Sequence, residues 1–337
     1  MVLALLLLSL FVVSGCSRES EAGRVIVLGI DGLDPHTLDL LISEGKMPNF
    51  AKMRQQGAYS PLLSAEPLLS PVIWTTIATG RPPTEHGIGH FTAVKAETGE
   101  QLPVTSQMRR VDALWNILSN QNREVAVVGW WATWPPEQVK GAIVSDHTMY
   151  HFLFEEGISG DADRSAKTFP PELQQEIEPL LTRPQSLGVD DLAPYIRITQ
   201  ADLDRPFAFT DDVQHFRWAL AAAHSHRDVG LHLWNKLDPD TLMIYVEGVD
   251  STSHLFGHLF RAEGLAGDLA AQQAKYGQAV EKMYLLADAI VGDYIEAMDD
   301  DTTLIVLSDH GFELGVLQDD PSKLQDMRRV SERFHRL

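Results

Sequence analysis

Four short apolar runs rich in β-branched residues stand out along the chain. They cover Val25–Ile30, Val125–Gly129, Leu242–Val246 and Leu304–Leu307. Continuous runs of this length are typical of strands buried on both faces of a sheet. Helical patterns separate them: one starts at Asp34-Pro35, and others cover Pro48–Gln56, Asp112–Asn120, Phe216–Leu237 and Ala274–Met298. Strands that alternate with helices predict an α/β fold with a mainly parallel sheet and helices on both faces.

The stretch from about residue 147 to 206 breaks this alternation. It carries several Pro and Asp residues and has weak periodicity, which is typical of an insertion. We expect it to form a cap over the sheet edge, within one folded domain that covers residues 24–337.

The N-terminus has the pattern of an export signal. The apolar run Val2–Val13 is too short to cross a bilayer, which needs about 20 residues. Small residues then lead to Cys16, the single cysteine, in a pattern that resembles a bacterial lipobox. We therefore expect residues 1–23 to be a lipoprotein signal peptide and tether, with an extracytoplasmic protein anchored to the membrane at Cys16. An ordinary signal peptide with an incidental cysteine is the alternative.

Composition limits the classes of partner. The 337 residues include 27 Lys and Arg against 47 Asp and Glu, a net charge of −20 at pH 7. This charge argues against binding a nucleic acid duplex, which requires a positive surface. An acidic protein can still act on phosphate esters where metal ions supply the local positive charge.

Three of the four predicted strands finish near an acid: Asp31, Asp250 and Asp309. The carboxyl ends of strands form the ligand crevice in open α/β sheets, so we expect these carboxylates to converge. Without compensation they would repel one another, and a bound cation removes that repulsion.

Histidines accompany these acids. His310 follows Asp309 directly, and His254 lies four residues after Asp250, a spacing that places both on one helix face. Mixed carboxylate and imidazole ligands suit zinc, with manganese or iron as alternatives. His258, a further four residues on, is a rival ligand or a solvated surface residue.

The segment from Ser70 to Gly80 has the start and stop signals of a helix, with Ser70 as the predicted N-cap. Ser70 has two compatible interpretations, a capping residue and a nucleophile whose phosphate would sit at the helix N-terminus. Thr75 and Thr76 are poorer candidates because their hydroxyls would lie along the helix.

Five motifs occur in a set order: Gly29-Ile30-Asp31-Gly32, Met47-Pro48-Asn49, Ser70 to Gly80 with Glu85-His86-Gly87-Ile88, Asp250-x-x-x-His254, and Ser308-Asp309-His310-Gly311. This set resembles the alkaline phosphatase superfamily, most closely its type I phosphodiesterase/nucleotide pyrophosphatase branch. The resemblance implies an alkaline-phosphatase-like α/β/α sandwich. It also implies a hydrolase of phosphodiesters, nucleotide pyrophosphates or phosphomonoesters that works through a covalent phosphoseryl or nucleotidyl-seryl intermediate.

The resemblance further implies two divalent metal ions, with zinc preferred. Asp31, Asp309 and His310 would hold one ion; Asp250, His254 and a later histidine would hold the other. Ser70 would be the nucleophile and would bridge both. A small-molecule phosphate ester is then the expected partner, and the oligomeric state stays open.

Two positions depart from the family pattern. The later histidine usually stands in an H-R-x-x-G context, and His335 is the candidate, with the sequence expected to be truncated just beyond it. An Asn that binds a phosphate oxygen often follows the His-Gly-Ile motif, whereas this chain has His90. Two alternative functions stay open: a phospho- or phosphoethanolamine transferase, and a non-catalytic, metal-stabilised envelope lipoprotein.

Two further features have structural interpretations. Ser145-Asp146-His147 repeats the Ser-Asp-His string and is expected to end a strand in the cap region. Trp130, Trp131 and Trp134 form either packed loop residues or an aromatic wall for a base or lipid group.

Overall fold

A computed structural model describes residues 23–94, 99, 101–150, 167–208 and 210–315. The predicted signal peptide with Cys16 and the candidate ligand His335 lie outside the described residues. Within these ranges, no helix is both long enough and apolar enough to cross a lipid bilayer.

A six-stranded sheet forms the centre of the described structure, in the order β6-β5-β4-β7-β1-β8. All neighbouring pairs are parallel except β5 and β6, which are antiparallel. A separate antiparallel hairpin joins β2 and β3. The strands are β1 (Arg24–Ile30), β2 (Thr92–Val94), β3 (Gln101–Pro103), β4 (Val125–Val128), β5 (Gly141–Val144), β6 (Thr168–Phe169), β7 (Thr241–Val246) and β8 (Thr302–Leu307). All four predicted runs are strands of this sheet, which confirms the mainly parallel α/β fold.

Helices cover both faces of the sheet. They are α1 (Pro35–Ser43), α2 (Pro48–Gln56), α3 (Ser70–Thr79), α4 (Pro83–His86), α5 (Leu114–Asn120), α6 (His147–Tyr150), α7 (Leu173–Ile177), α8 (Val189–Leu192), α9 (Gln200–Leu203), α10 (Asp212–Leu237), α11 (Gly248–Phe256), α12 (Gly267–Tyr276) and α13 (Ala279–Ala297). Short 3₁₀ turns cover Ser106–Met108, Glu178–Leu180, Pro184–Ser186 and Gly257–Leu259.

The alternation of side chains along β1 explains why the sheet has two cores. Ile26, Leu28 and Ile30 point to one face, where they join a large cluster with α10, α11 and α13. Val27 points to the other face and joins a smaller cluster that contains Trp74 of α3. A strand with apolar residues on both faces is stable only between two layers, so β1 is central.

Three local predictions need correction. The residue before the helix, Leu69, is the N-cap of α3, because its carbonyl accepts the first helical N–H groups; Ser70 is therefore the first helical residue and makes no capping hydrogen bond. The pattern predicted as one helix over Ala274–Met298 is divided between α12 and α13 at Gly277, which caps α12. Helix α10 begins four residues before the predicted start at Phe216, because Asp211 caps it through Val213 and Gln214.

The described part of the predicted cap region lies against α10. Leu187, Leu192 and Ile196 are buried in the same large cluster as the core of the sheet. The guanidinium of Arg217, on α10, donates to the carbonyls of Gln185 and Leu187. This segment therefore packs onto the main domain instead of forming a separate core within the described residues.

Candidate functional site

Three acids meet where β7, β1 and β8 end. Asp31 follows β1 directly, Asp250 lies in the first turn of α11 after β7, and Asp309 follows β8 by two residues. His310 Nε2 lies 3.5 Å from Asp31 Oδ1, 3.6 Å from Asp250 Oδ1 and 3.6 Å from Asp309 Oδ2. The convergence predicted from the sequence is thus present, because the three strands are parallel neighbours.

The three oxygens that face His310 have no hydrogen-bond partner. Asp31 Oδ1, Asp250 Oδ1 and Asp309 Oδ2 are buried atoms without a donor, and their residues are 0%, 9% and 2% exposed. Among the described residues, no Lys or Arg forms an ion pair with any of them. An unpaired buried carboxylate oxygen costs free energy, so this donor set fits a cation.

The electrostatics of the cluster agree with that fit. Burial, followed by the negative charge of Asp31, raises the pKa values of Asp250 and Asp309 well above the ordinary range. Burial lowers the pKa of His310, but the charges of Asp31 and Asp250 more than offset this, and its pKa is raised. The protein has therefore concentrated negative charge that only a proton or a positive ion can compensate.

One group of three candidate metal ligands lies close together among the described residues. Ligand atoms of Asp31, Asp309 and His310 all lie within 4.8 Å of one another. His254 Nε2 lies 3.4 Å from Asp250 Oδ1, one turn along α11. Phe312 packs against both histidine rings, at 4.8 Å from His254 and 5.6 Å from His310. The rival ligand His258 lies in the 3₁₀ turn after α11 and is half-buried.

The backbone conformation and close packing at Gly32 explain why the first motif ends in glycine. Its φ of +66° is left-handed, and a Cβ there would lie 2.8 Å from the Phe312 ring and 3.0 Å from Asp250 Cα. Its N–H donates to Asp309 Oδ1 at 3.3 Å. The absence of a side chain at this position allows the ends of β1 and β8 and the start of α11 to approach closely.

The second oxygen of Asp31 accepts two hydrogen bonds that the sequence did not predict. Trp74 Nε1 donates to Asp31 Oδ2 at 3.0 Å, and the Tyr245 hydroxyl donates to the same atom at 2.5 Å. Trp74 stands four residues after Ser70 on α3, so the two share a helix face. That i, i+4 spacing is the one signal in the sequence that links Trp74 to the site.

Ser70 is the buried first residue of α3, 8% exposed. Its hydroxyl has no hydrogen-bond partner among the described residues. By contrast, Thr75 and Thr76 donate to the carbonyls of Pro71 and Val72, one turn earlier. The prediction that these threonine hydroxyls lie along the helix is confirmed.

Glu247 is a further buried acid that sequence reasoning missed. It is the residue before α11, and the hydroxyls of Tyr150 and Ser251 donate to its carboxylate at 2.7 Å and 3.1 Å. Burial is the main cause that raises its pKa to about 8. The rings of Tyr150 and Trp131 have centroids 5.3 Å apart. Tyr150 therefore connects Glu247 to the loop that contains Trp131.

Asp146 shapes the tryptophan loop. It follows β5, a strand of the central sheet, and its carboxylate accepts hydrogen bonds from Ala132 N and the Thr133 hydroxyl. Trp130 is fully buried against Trp74, at 5.1 Å, whereas Trp131 is half-buried. Trp130 is therefore a packed loop residue, not part of an exposed aromatic wall.

Two candidates remain, and the first of them, Trp134, is half-buried. Trp134 stacks on His147 with ring centroids 4.3 Å apart. His90, the residue considered in place of the phosphate-binding Asn, is exposed beside Phe91.

The sheet, its flanking helices and the acid–imidazole cluster define an α/β protein with an alkaline-phosphatase-like fold. The sequence profile of the type I phosphodiesterase/nucleotide pyrophosphatase family matches residues 25–336. The chain therefore belongs to this family, as the ordered motifs indicated.

Structures of phosphonoacetate hydrolase agree on the fold. Phosphonoacetate hydrolase from Sinorhizobium meliloti 1021, in complex with phosphonoformate, is similar with a TM-score of 0.51 at 18% identity; its complex with phosphonoacetate gives 0.50 at 18%. Murine ectonucleotide pyrophosphatase/phosphodiesterase 5 gives 0.45 at 13%. Each match covers 86% of this chain but 57% of the other, so the chain spans little more than half the length of these proteins. No curated protein sequence is significantly similar to this chain.

Proposed function

We propose that this protein is a divalent-metal-dependent hydrolase of phosphate esters in which Ser70 is the nucleophile. The observation that carries the proposal is the group of three unpartnered carboxylate oxygens, on Asp31, Asp250 and Asp309, that face one imidazole nitrogen. Family membership supports the reaction class. The substrate is proposed to be a small-molecule phosphodiester, nucleotide pyrophosphate or phosphomonoester.

Two cations, proposed to be zinc, would be held by two ligand sets. Asp31, Asp309 and His310 form the first set, and Asp250 and His254 the second, which His335 would complete. When bound, such cations supply the positive charge that keeps the carboxylates ionised and favours an ionised serine hydroxyl.

The residues of the chain perform the remaining steps. Ser70 loses its hydroxyl proton to solvent and its Oγ forms a bond to phosphorus, while the bond from phosphorus to the leaving oxygen breaks. The leaving oxygen takes a proton from water. Water then hydrolyses the phosphoseryl or nucleotidyl-seryl bond, which releases the phosphorylated product and restores the Ser70 hydroxyl. The first-turn position of Ser70 supports this role, because a helix N-terminus favours a phosphate group.

The location of the protein is part of the proposal. A lipid anchor at Cys16 would hold the enzyme on the extracytoplasmic side of a bacterial membrane, where phosphate esters outside the cytoplasm are its substrates. Metabolic labelling with a fatty-acid analogue, compared between the natural chain and Cys16→Ser, tests this part.

The nucleophile is tested with Ser70→Ala. We measure hydrolysis of 4-nitrophenyl phosphate and bis(4-nitrophenyl) phosphate by the zinc-loaded full chain, with and without a chelator. Loss of the attacking hydroxyl is expected to lower turnover by roughly 10³-fold or more while the bound metal content stays the same. Thr79→Ala is the matched control, because it removes a hydroxyl from the same helix that donates to a backbone carbonyl.

The outcomes separate the alternatives. Unchanged turnover in Ser70→Ala would reject the nucleophile assignment. Transfer of the phosphoryl group to an added alcohol in preference to water would identify a transferase. Tight metal binding without turnover of either ester would favour the non-catalytic envelope lipoprotein.

A further inference from the structure

Asp31 differs from the other two acids of the cluster in how its two oxygens are used. Oδ2 accepts hydrogen bonds from the Trp74 indole and the Tyr245 hydroxyl, whereas Oδ1 has no partner and faces His310. Both donors are buried, Trp74 at 0% and Tyr245 at 1% exposed. The carboxylate thus has one oxygen held by the protein and one left available.

The indole of Trp74 is fixed from several sides. Gly29 of β1 lies directly beneath the ring, since a Cβ there would be 2.6 Å from it. The rings of Trp130 and Tyr245 meet it edge-on at 5.1 Å and 5.3 Å. Trp130 Nε1 also donates to the Trp74 carbonyl at 3.1 Å. A ring held this closely keeps its N–H aimed at Asp31 without help from a ligand.

Tyr245 is fixed by the sheet itself. It lies on β7 in register with Gly29 of β1, two residues before Asp31. Trp74 instead comes from α3, the helix that begins with Ser70. The two donors therefore tie Asp31 both to the neighbouring strand and to the helix that carries the proposed nucleophile.

We propose that Trp74 and Tyr245 are positioning residues that orient Asp31 so that one of its oxygens is a metal ligand. Trp74 also fixes the position of the helix that begins with Ser70 relative to Asp31. The inference rests on the proposed function, in which Asp31 binds a cation. A carboxylate whose Oδ2 is engaged by an N–H and an O–H presents Oδ1 in a single direction, which lowers the cost of ordering the ligand when a cation binds. Groups that orient a metal ligand in this way set the metal affinity as well as the reaction.

The test removes each donor and keeps its ring. We measure the zinc affinity of the full chain by competition with a chromophoric chelator for Trp74→Phe and Tyr245→Phe. Each variant is expected to bind zinc about 10- to 100-fold more weakly than the natural chain. At saturating zinc, the kcat of Trp74→Phe is expected to fall with KM nearly unchanged, because the helix that begins with Ser70 loses its hydrogen bond to Asp31.

Two control variants match the loss of a buried donor away from the site. Trp115→Phe removes an indole N–H that donates to the Glu137 carboxylate at 2.9 Å. Tyr294→Phe removes a hydroxyl that donates to the Arg227 carbonyl at 3.1 Å. Both are expected to keep the natural zinc affinity even if they lower the melting temperature.

The outcomes distinguish this inference from the proposed function. If the natural chain binds zinc and both donor variants bind it equally well, the positioning role is wrong while the proposed function stands. If the natural chain does not bind a divalent cation, both are wrong. If Ser70→Ala stays active but the donor variants lose zinc affinity, the nucleophile is wrong and the positioning role holds. Tyr245→Phe, which leaves the α3 packing in place, carries the test should Trp74→Phe fail to fold.

Discussion

Asp146 is expected to make the stability of the metal-free protein depend on pH. Burial raises the pKa of this carboxyl to about 7, from an ordinary value of 3.8. The folded protein therefore binds the Asp146 proton more tightly than the unfolded chain does, and ionisation destabilises the fold. The stabilising contribution is fully present below pH 4 and is lost as the pH rises through 7. A difference of about three pH units corresponds to about 4 kcal/mol, of which roughly 2.5 kcal/mol is lost between pH 5 and pH 8.

Asp146→Asn removes the titrating proton and keeps an oxygen that can accept from Ala132 N. We measure the free energy of unfolding in urea, with a chelator present, for the natural chain and the variant from pH 5 to pH 8. Between pH 5 and pH 8, the free energy of unfolding of the variant is expected to rise by roughly 2.5 kcal/mol relative to that of the natural chain. Asp190→Asn makes the same substitution at an exposed position in α8 and is the matched control. A constant difference for Asp146→Asn would refute the assignment of a neutral carboxyl at low pH.

Three further substitutions test contacts elsewhere in the fold by urea unfolding. Asp288→Ala leaves two backbone N–H groups at the start of α2 without their acceptor and should cost about 2–4 kcal/mol, whereas Asp288→Asn should cost less. Gly141→Ala should cost roughly 2–4 kcal/mol, since its Cβ would lie 1.9 Å from the Val125 carbonyl oxygen at a φ of +125°. Arg109→Met should cost about 2–4 kcal/mol, because it leaves Glu137 without its nearly buried partner. A loss below about 0.5 kcal/mol in any of the three would contradict its stated cause.

The sheet was predictable because its central strands are buried on both faces. Continuous apolar runs at β1, β4, β7 and β8 have few alternative explanations in an α/β domain. A strand that ends just before Ser145 was predicted, but its assignment to the cap region was wrong, because β5 (Gly141–Val144) pairs with β4 in the central sheet. The helix break at Gly277 was missed, since one glycine within a periodic pattern does not by itself end a helix.

The acids of the site were predictable from topology. Parallel strands place their carboxyl ends at one edge of the sheet, so acids far apart in sequence become neighbours once β7, β1 and β8 are adjacent. The position of Ser70, one residue after the N-cap of α3, was not predictable in the same way. Serine is a strong capping residue, but Leu69 supplies the first carbonyl of α3, and this leaves the Ser70 side chain without a capping role.

Sequence reasoning did not find the donors to Asp31. Trp74 and Tyr245 are aromatic residues on a buried helix and a buried strand, where core packing is the ordinary explanation. The indole of Trp74 reaches Asp31 because Gly29 of β1 leaves room for the ring, and the Tyr245 hydroxyl reaches the same carboxylate from the adjacent strand β7. Such a contact depends on three elements at once, which no periodicity in one segment reports.

An acidic chain can bind a phosphate ester only where positive charge is present locally. Asp31, Asp250 and Asp309 place their charge in a region where, among the described residues, histidine is the one basic partner. A substrate with negative charge would be repelled from this cluster as it stands. Positive ions bound there would reverse that repulsion. Metal removal should therefore weaken binding of a phosphate ester as well as its turnover, and an equilibrium binding measurement on Ser70→Ala with and without chelator separates the two effects.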